Sequence, residues 1–525
     1  MKIVINKINI ILICCLLYIS KADNPVRCTL HEIIGDWTFV LSTDTFKPDL
    51  HSQKITCGKG QPGKIPKINK DHKFEFKSSR NLDLKLTKDN RAISSTNSGA
   101  FTILLQEGIL VTIGNLILNA SFRYNYVGDN NGRMSGELYE SICSQTMVGW
   151  YHTKDNTVWG CFYAYKNSRT PEDFGRNNHA IIDLDGILYT PETLKDESYW
   201  DGDEPSSHFS IYETRVSQAT ANPGMPYFDP FSLVGREPSS IAEHELPEYL
   251  NWADVNGESY FPEIISQQCG ECYIEAFLHA YESRTRILSR NKFQPRISRE
   301  QILGCNFYSE GCDGGLPIAA AKFANEFFMV DEECYSQKCI HPTNISETIR
   351  DDVCCDKCDN ERIKYKVDQY GYVGGYYGAS TELGIMREIA ARGPVSAVLN
   401  APDDFLMYIG GIAYLATPVR NSEISRISDY AFSYFISASK NKISKNTMRD
   451  LDLEFEYANH SVVILGWGYD EELDLEYWIC ANSWGKDWGE KGYFRIVRGT
   501  NEMGIETAAE YFTVLVEIEG IPEIF

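Results

Sequence analysis

Apolar and polar positions alternate through residues 23 to 165, in stretches such as Gly35-Asp36-Trp37-Thr38-Phe39-Val40 and Phe101-Thr102-Ile103-Leu104, broken by turn residues such as Asn130-Asn131-Gly132. A period of two buries one face of a segment and wets the other, so this pattern predicts an antiparallel β-barrel. Residues 166 to 245 lose the alternation. They are charged and rich in Pro, Asp, Glu and Ser, as in Pro171-Glu172-Asp173 and Asp201-Gly202-Asp203-Glu204-Pro205, and predict a weakly folded linker. From about Leu246 a second unit begins. Ile274, Phe277, Leu278 and Tyr281 recur at helical spacing after Cys272, which predicts a helix over Tyr273 to Leu288. His460 later enters an apolar run, Ser461-Val462-Val463-Ile464-Leu465, that ends in Gly466-Trp467-Gly468 and reads as a buried strand. The second unit is therefore helical in its first half, to about Met407, and sheet-like in its second.

The first 22 residues carry Lys2 and Lys7, an apolar run from Ile8 to Ile19, and Ser20-Lys21-Ala22. A basic start, a short apolar stretch and a small-x-small end form a signal peptide, and the run is too short for a membrane anchor. Cleavage there makes Asp23 the new N-terminus. No stable membrane insertion is expected, since the apolar stretch from Phe101 to Phe122 is interrupted by Gln106, Glu107, Gly108 and Gly114. The 525 residues imply more than one domain, because single cores usually stop growing near about 250 to 300 residues. A net charge of −23 argues against a nucleic-acid partner, which would need clustered Lys and Arg.

The 16 cysteines fit an oxidising compartment. Cys14 and Cys15 fall in the signal segment, and Cys28, Cys57, Cys143 and Cys161 form a set of four in the barrel region. Cys269, Cys305, Cys312, Cys334, Cys339, Cys354, Cys355 and Cys358 suffice for four bridges, while Cys480 lies in an apolar run and is expected to be a buried thiol. Zinc is the competing reading for Cys354, Cys355 and Cys358, though a secretory context favours disulfides. Asn119-Ala120-Ser121 and Asn344-Ile345-Ser346 are glycosylation sequons.

Chemistry concentrates in three separated segments. Ser266-Gln267-Gln268-Cys269-Gly270-Glu271-Cys272-Tyr273 places Cys272 at a helix N-terminus, where backbone N–H groups favour a thiolate. Asn459-His460-Ser461 supplies a base, and Cys480-Ala481-Asn482-Ser483-Trp484-Gly485 an amide and an indole. Together, from about Leu246 to the C-terminus, these resemble the papain-like cysteine proteases. The resemblance implies that Cys272 is the nucleophile, His460 the base and later acid, and Asn482 the group that orients the ring. It also implies that Trp484 shields the His–Asn pair, and that Gln267 with the Cys272 N–H forms the oxyanion hole. Gln267 lies five residues before the nucleophile rather than the family's six, so Gln268 is a rival. Glu271 stands where the family has Ser or Ala and is expected to be exposed. His460 follows Cys272 by 188 residues, and an insertion over 416–457 absorbs most of the excess over simpler members; it reads equally as a surface loop or a maturation cut.

The implied fold class is α+β, a two-lobed catalytic domain preceded by an antiparallel β-barrel. Asp23-Asn24-Pro25-Val26-Arg27-Cys28, Gly35-Asp36-Trp37 and the four-cysteine set resemble the exclusion domain of the family's dipeptidyl peptidases. A lipocalin-like binding barrel is the plain alternative. The exclusion reading implies domains at 23–165, 166–245 (an excised activation segment) and 246–525, with the Asp23 carboxylate receiving a substrate's free α-amine. Gly314, Gly315 and Ile318 resemble one wall of the second subsite and Tyr372 another. Dipeptidyl members bind chloride there through two tyrosines. Tyr372 matches one, but Ile318 stands in place of the other, which puts chloride in doubt; no other cofactor and no metal is expected. Ile318 should also make the pocket floor apolar and favour aliphatic or aromatic side chains at the residue second from the scissile bond. The partners expected are peptides and proteins with free N-termini, with a homo-oligomer as an open alternative, in a lysosome-like vesicle or outside the cell. The competing functions are an endopeptidase with a barrel prodomain and a catalytically silent binding protein. The Cys–His pair predicts activity in mild acid.

Overall fold

The computed structural model describes residues 26–43, 57, 74–75, 79–126, 139–167, 181–182, 209–212, 229–309, 311–334, 363–415 and 458–518. The signal segment, Asp23, Asn344, Cys339, Cys354, Cys355, Cys358 and the 416–457 insertion lie outside the described residues.

The alternating N-terminal region closes into a barrel. Gly35–Ser42 pairs antiparallel with Ser79–Leu86 on one side and with Trp159–Lys166 on the other. From Ser79–Leu86 the circuit runs through Arg91–Ile93, Ser98–Leu104, Gly108–Ile113, Leu116–Tyr126 and Gly149–Thr153 back to Trp159–Lys166, eight strands in all. A further strand, Tyr139–Thr146, pairs with Leu116–Tyr126 and Trp159–Lys166. Leu84 and Leu86 point inward while Lys85 between them is exposed, the period-two signature of a half-buried strand. Trp37, Phe39, Phe122 and Phe162 fill the interior, and the Trp37 indole donates to the Ile33 carbonyl at 2.7 Å, so its buried N–H is satisfied. Two disulfides, Cys28–Cys143 and Cys57–Cys161, pair the four-cysteine set.

The second unit is built around the helix Cys272–Leu288. Fifteen of its 17 residues are buried, because it is covered on nearly every side. The helices Arg299–Cys305 and Pro317–Glu326 complete this half. The other half is a sheet ordered Phe209–Tyr212, Ile412–Leu415, Tyr493–Val497, Leu475–Ala481, His460–Asp470, Val395–Leu399, Glu510–Ile518 and Ile363–Tyr372. Trp467 and Trp478 are wholly buried in it. No helix among the described residues is long and apolar enough to cross a membrane.

The linker reading of residues 166–245 fails over its described end. Phe231 packs edge-on against Trp252 and Tyr260 beneath the Arg290 guanidinium, and Leu233 and Ile241 are buried in the catalytic core. Upstream, Phe209–Tyr212 adds a strand to the edge of the catalytic sheet through Ile412–Leu415. The polar composition hid these few apolar anchors.

The barrel docks on the helical half. Phe307 packs on Trp150 and Phe327 on Trp159, at 5.3 and 5.8 Å between ring centroids. Polar contacts join them: the Tyr377 N–H donates to Thr102 Oγ1 at 3.0 Å, and His152 Nε2 lies 2.7 Å from Glu326 Oε1. Asn119, the described sequon, is half-buried in mid-strand between Leu110 and Trp150 and lines a cavity at this junction.

Candidate active site

The Cys269–Cys312 disulfide and the hydrogen bond from Gly270 N–H to the Cys312 carbonyl tie the loop before the central helix to the 311–317 loop. Cys272 is the first residue of that helix, buried and not disulfide-bonded. It therefore sits where the unsatisfied N–H groups and positive dipole end favour a thiolate.

The base is held from three directions. His460 opens its strand in register with Leu399, and its Nε2 lies 2.8 Å from Asn482 Oδ1. The Ser483 N–H also donates to Oδ1 at 2.8 Å, which fixes that atom as the oxygen and Nε2 as the nitrogen carrying hydrogen. The Trp484 ring stacks on the imidazole at 4.6 Å and 26°, covering the His–Asn hydrogen bond. Burial pushes the imidazole down to about 4 against the raising effect of Asn482. An imidazolium at this position therefore needs an anion beside it.

Gln267 is pinned to the Asn482 loop. Its N–H donates to the Ser483 carbonyl, its side-chain oxygen accepts from Ser483 Oγ at 2.6 Å, and its Nε2 donates to the Cys269 carbonyl at 2.8 Å. One amide hydrogen remains for another acceptor. The rival Gln268 is exposed and folds its amide back onto the Ser266 carbonyl. Nothing in the sequence singled out Ser483, whose hydroxyl holds the Gln267 oxygen.

Glu271, expected at the surface, is buried. Its carboxylate accepts from the Gln268 N–H at 2.7 Å, so the short turn before the nucleophile folds around this side chain. Burial raises its pKa, an effect that hydrogen bond opposes. In mild acid the group is thus biased towards its neutral form beside Cys272.

Gly314 and Gly315 lie on the 311–317 loop. A Cβ on Gly315 would sit 2.6 Å from the Ser309 side chain and 3.0 Å from the Tyr273 ring, so only glycine lets the loop pass there. Ile318 and Tyr372 are buried and belong, with Leu316, Val398, Ala458 and Ala508, to the same apolar cluster as the barrel interior. Behind Ile318 the structure adds a group that the motifs did not reveal: the carboxyl of Glu510, so the expected apolar floor carries an acid. Cys480 is a buried free thiol, and Cys305 and Cys334 are disulfide-bonded.

This geometry, a cysteine at the head of a helix that packs against the strand bearing a His–Asn pair, belongs to a thiol protease. The family model for papain family cysteine proteases matches residues 246–431 and 431–513, and the chain belongs to that family. The model of the cathepsin C exclusion domain matches residues 23–166. Among curated relatives, a cathepsin C of Schistosoma mansoni is 28% identical over 96% of this chain and 97% of its own length. Dipeptidyl aminopeptidase 1 of Plasmodium falciparum is 24% identical over 95% and 94%. A cathepsin B-like cysteine proteinase 4 of Caenorhabditis elegans is 28% identical, but over only 54% of this chain and 79% of its own.

Proposed function

We propose that this chain is a papain-family cysteine dipeptidyl peptidase that removes dipeptides from free N-termini. The observation that carries the reading is the continuity of the exclusion barrel with the pocket wall: barrel and pocket residues form one apolar cluster, and Thr102 of the barrel holds the Tyr377 N–H. A cleft capped in this way admits only a short N-terminal stretch beyond the scissile bond.

Cys272 attacks the carbonyl as thiolate. With His460 Nε2 engaged by Asn482, Nδ1 is the nitrogen left to take the thiol proton and pass it to the leaving amine. The thiolate supplies the anion that a buried imidazolium needs, and each ion holds the other. Gln267 Nε2 and the Cys272 N–H take the developing oxyanion, the thioester forms as the amine leaves, and water then hydrolyses it. Asp23 receives the substrate ammonium. Val26 is buried and Cys28 is bonded to Cys143, so the three residues before Val26 extend at most about 10 Å from a fixed point. The disulfides and the papain-family domain support a secretory or lysosome-like location.

Two peptides of identical sequence, one free and one N-acetylated, test the reading by product mass. Release of a dipeptide from the free peptide alone is the expected result. Internal cleavage of both would reduce the barrel to a prosegment, and cleavage of neither would leave a silent scaffold.

A further inference from the structure

The end of the polar region ahead of the catalytic domain is built into that domain's core. Leu233 is 4% exposed and Ile241 1%, and both lie in one apolar cluster with Trp252, Ile287 and Ile389. The rings of Phe231, Trp252 and Tyr260 meet edge-on in a triangle, with centroids 5.4, 5.0 and 6.1 Å apart. The Arg290 guanidinium lies over the Phe231 ring at 3.6 Å.

Backbone bonds reinforce this burial. Asp229 opens the stretch by accepting the Phe231 N–H at 3.0 Å. Gly235, at φ +84°, turns the chain so that its N–H donates to the Ala391 carbonyl at 2.8 Å. Ala391 lies in the last turn of the helix Glu382–Arg392, where carbonyls lack intrahelical donors, so the stretch caps that helix. Arg392 of the same turn meets Glu237 at 3.0 Å. Glu245 closes the other end, taking Arg236 Nη1 and the Ala242 N–H, both at 2.8 Å. No seam follows it. The Leu246 N–H donates back to the Glu243 carbonyl at 3.1 Å, and the Pro247 carbonyl accepts from the Trp467 indole at 2.9 Å.

The stretch lies at the far end of the central helix from the chemistry. It packs on Ile287 and Arg290, whereas Cys272 begins that helix. Fifteen residues separate Cys272 from Ile287, about 22 Å at about 1.5 Å per residue. Keeping residues 229–245 in place therefore leaves the cleft uncovered, while removing them strips a wall from the core.

We propose that residues 229–245 are a permanent strap of the catalytic domain, and that the cut maturing the catalytic chain falls N-terminal to Asp229 instead of near Leu246, where the papain-family match begins. The step is hydrolysis of one peptide bond by a processing peptidase. It consumes one water and leaves a carboxylate upstream and a new α-amine on the retained chain. A cut between Glu245 and Leu246 would first have to open the turn Glu243–Glu245, because peptidases act on exposed, locally unfolded backbone. Loss of the strap would then bare Trp252 and Tyr260 and uncap Ala391. The assignment needs only the papain-family domain and holds for a dipeptidyl peptidase and an endopeptidase alike.

The first test needs no variant. The full-length protein is matured in mild acid and digested further with a broad-specificity protease, and the surviving fragment that contains Cys272 is read by intact mass and N-terminal sequence. It is expected to retain Phe231, Leu233 and Ile241 however long digestion runs. A persistent fragment that lacks any of the three, with its thermal midpoint within about 3 °C of the undigested protein, overturns the proposal. The second test places the recognition sequence of a site-specific protease either just before Asp229 or between Glu245 and Leu246. Cutting at the first position should leave the midpoint and peptide hydrolysis unchanged. Cutting at the second should lower the midpoint by about 10 °C or more, or run about 100-fold slower on the folded protein than on the unfolded chain. Equal tolerance of the two cuts overturns the proposal. Product masses from a free and an N-acetylated peptide, measured on the same samples, report on dipeptide release separately, so either reading can fail without the other.

Discussion

Asn482 holds His460 with one oxygen that is shared with the Ser483 N–H, so its loss both frees the ring and orphans a buried backbone donor. Asn482→Ala is expected to lower kcat about 100-fold with little change in KM, measured on a free dipeptidyl substrate. The ion pair has its own signature. In Cys272→Ala the anion is gone, and the buried imidazole should stay neutral until the pH falls to about 4, as followed by NMR of the labelled ring. In the wild type the thiolate should keep it charged to higher pH, so activity is lost in strong acid as the thiol protonates and in alkali as the imidazolium deprotonates. Equal ring titration in both proteins would refute the pair. These three residues were legible because each sits in a short motif whose chemistry is local. Glu271 was misread for the opposite reason: its burial depends on Gln268 closing the turn over it, which adjacency to Cys272 does not encode. Glu510 was not legible either, since only strand register brings it beside Tyr372.

The helix that presents Cys272 also carries buried acids, and they set how its packing responds to pH. Arg299 reaches Glu275 at 3.1 Å and Glu282 at 3.0 Å, with His279 one turn along. Burial dominates at Glu275 and raises its carboxyl to about 8, although Arg299 pulls it down. A folded-state pKa above the ordinary 4.5 means that the folded form holds its proton more tightly than the unfolded chain. The resulting stabilisation is complete below about pH 4.5 and is lost as the pH rises through about 8. Thermal midpoints should accordingly fall between pH 5 and pH 8, and Glu275→Gln, which stays neutral, should flatten that dependence. A variant as steep as the wild type would exclude Glu275 as the cause. The apolar spacing made the helix readable, but not the charges on its buried sides, because at this position polar residues pair inside the protein instead of facing water. The barrel shows the same division: alternation gave its strands, while its closure depends on Gly35–Ser42 meeting Trp159–Lys166 far along the chain.

At the scale of the whole molecule, selection for N-termini depends on how firmly the barrel stays docked. Glu326 lies at the centre of that junction: Oε1 meets His152 of the barrel and Lys322 of its own helix, while Oε2 accepts from Tyr308 at 2.5 Å. Burial alone would raise this carboxyl, but Lys322 and His152 overcome it and hold it below its ordinary value. The sign is then that of a depressed acid, its contribution present above about pH 4.5 and lost as the pH falls below that, so the junction survives the mild acid in which the Cys–His pair works. Glu326→Ala leaves two buried basic side chains without their acid and should cost about 3 to 5 kcal/mol. Because that includes damage within the catalytic domain, the informative quantity is the coupling between Glu326→Ala and His152→Ala, expected at about 1 to 3 kcal/mol from a double-mutant cycle of thermal or denaturant stability. Loosening the cap should also open the cleft. Each variant is expected to gain measurable cleavage of an N-acetylated peptide that the wild type leaves intact. If the two substitutions prove additive and dipeptide release stays strict, the barrel is held by its aromatic contacts at Phe307 and Phe327, and the charged cluster is a bystander.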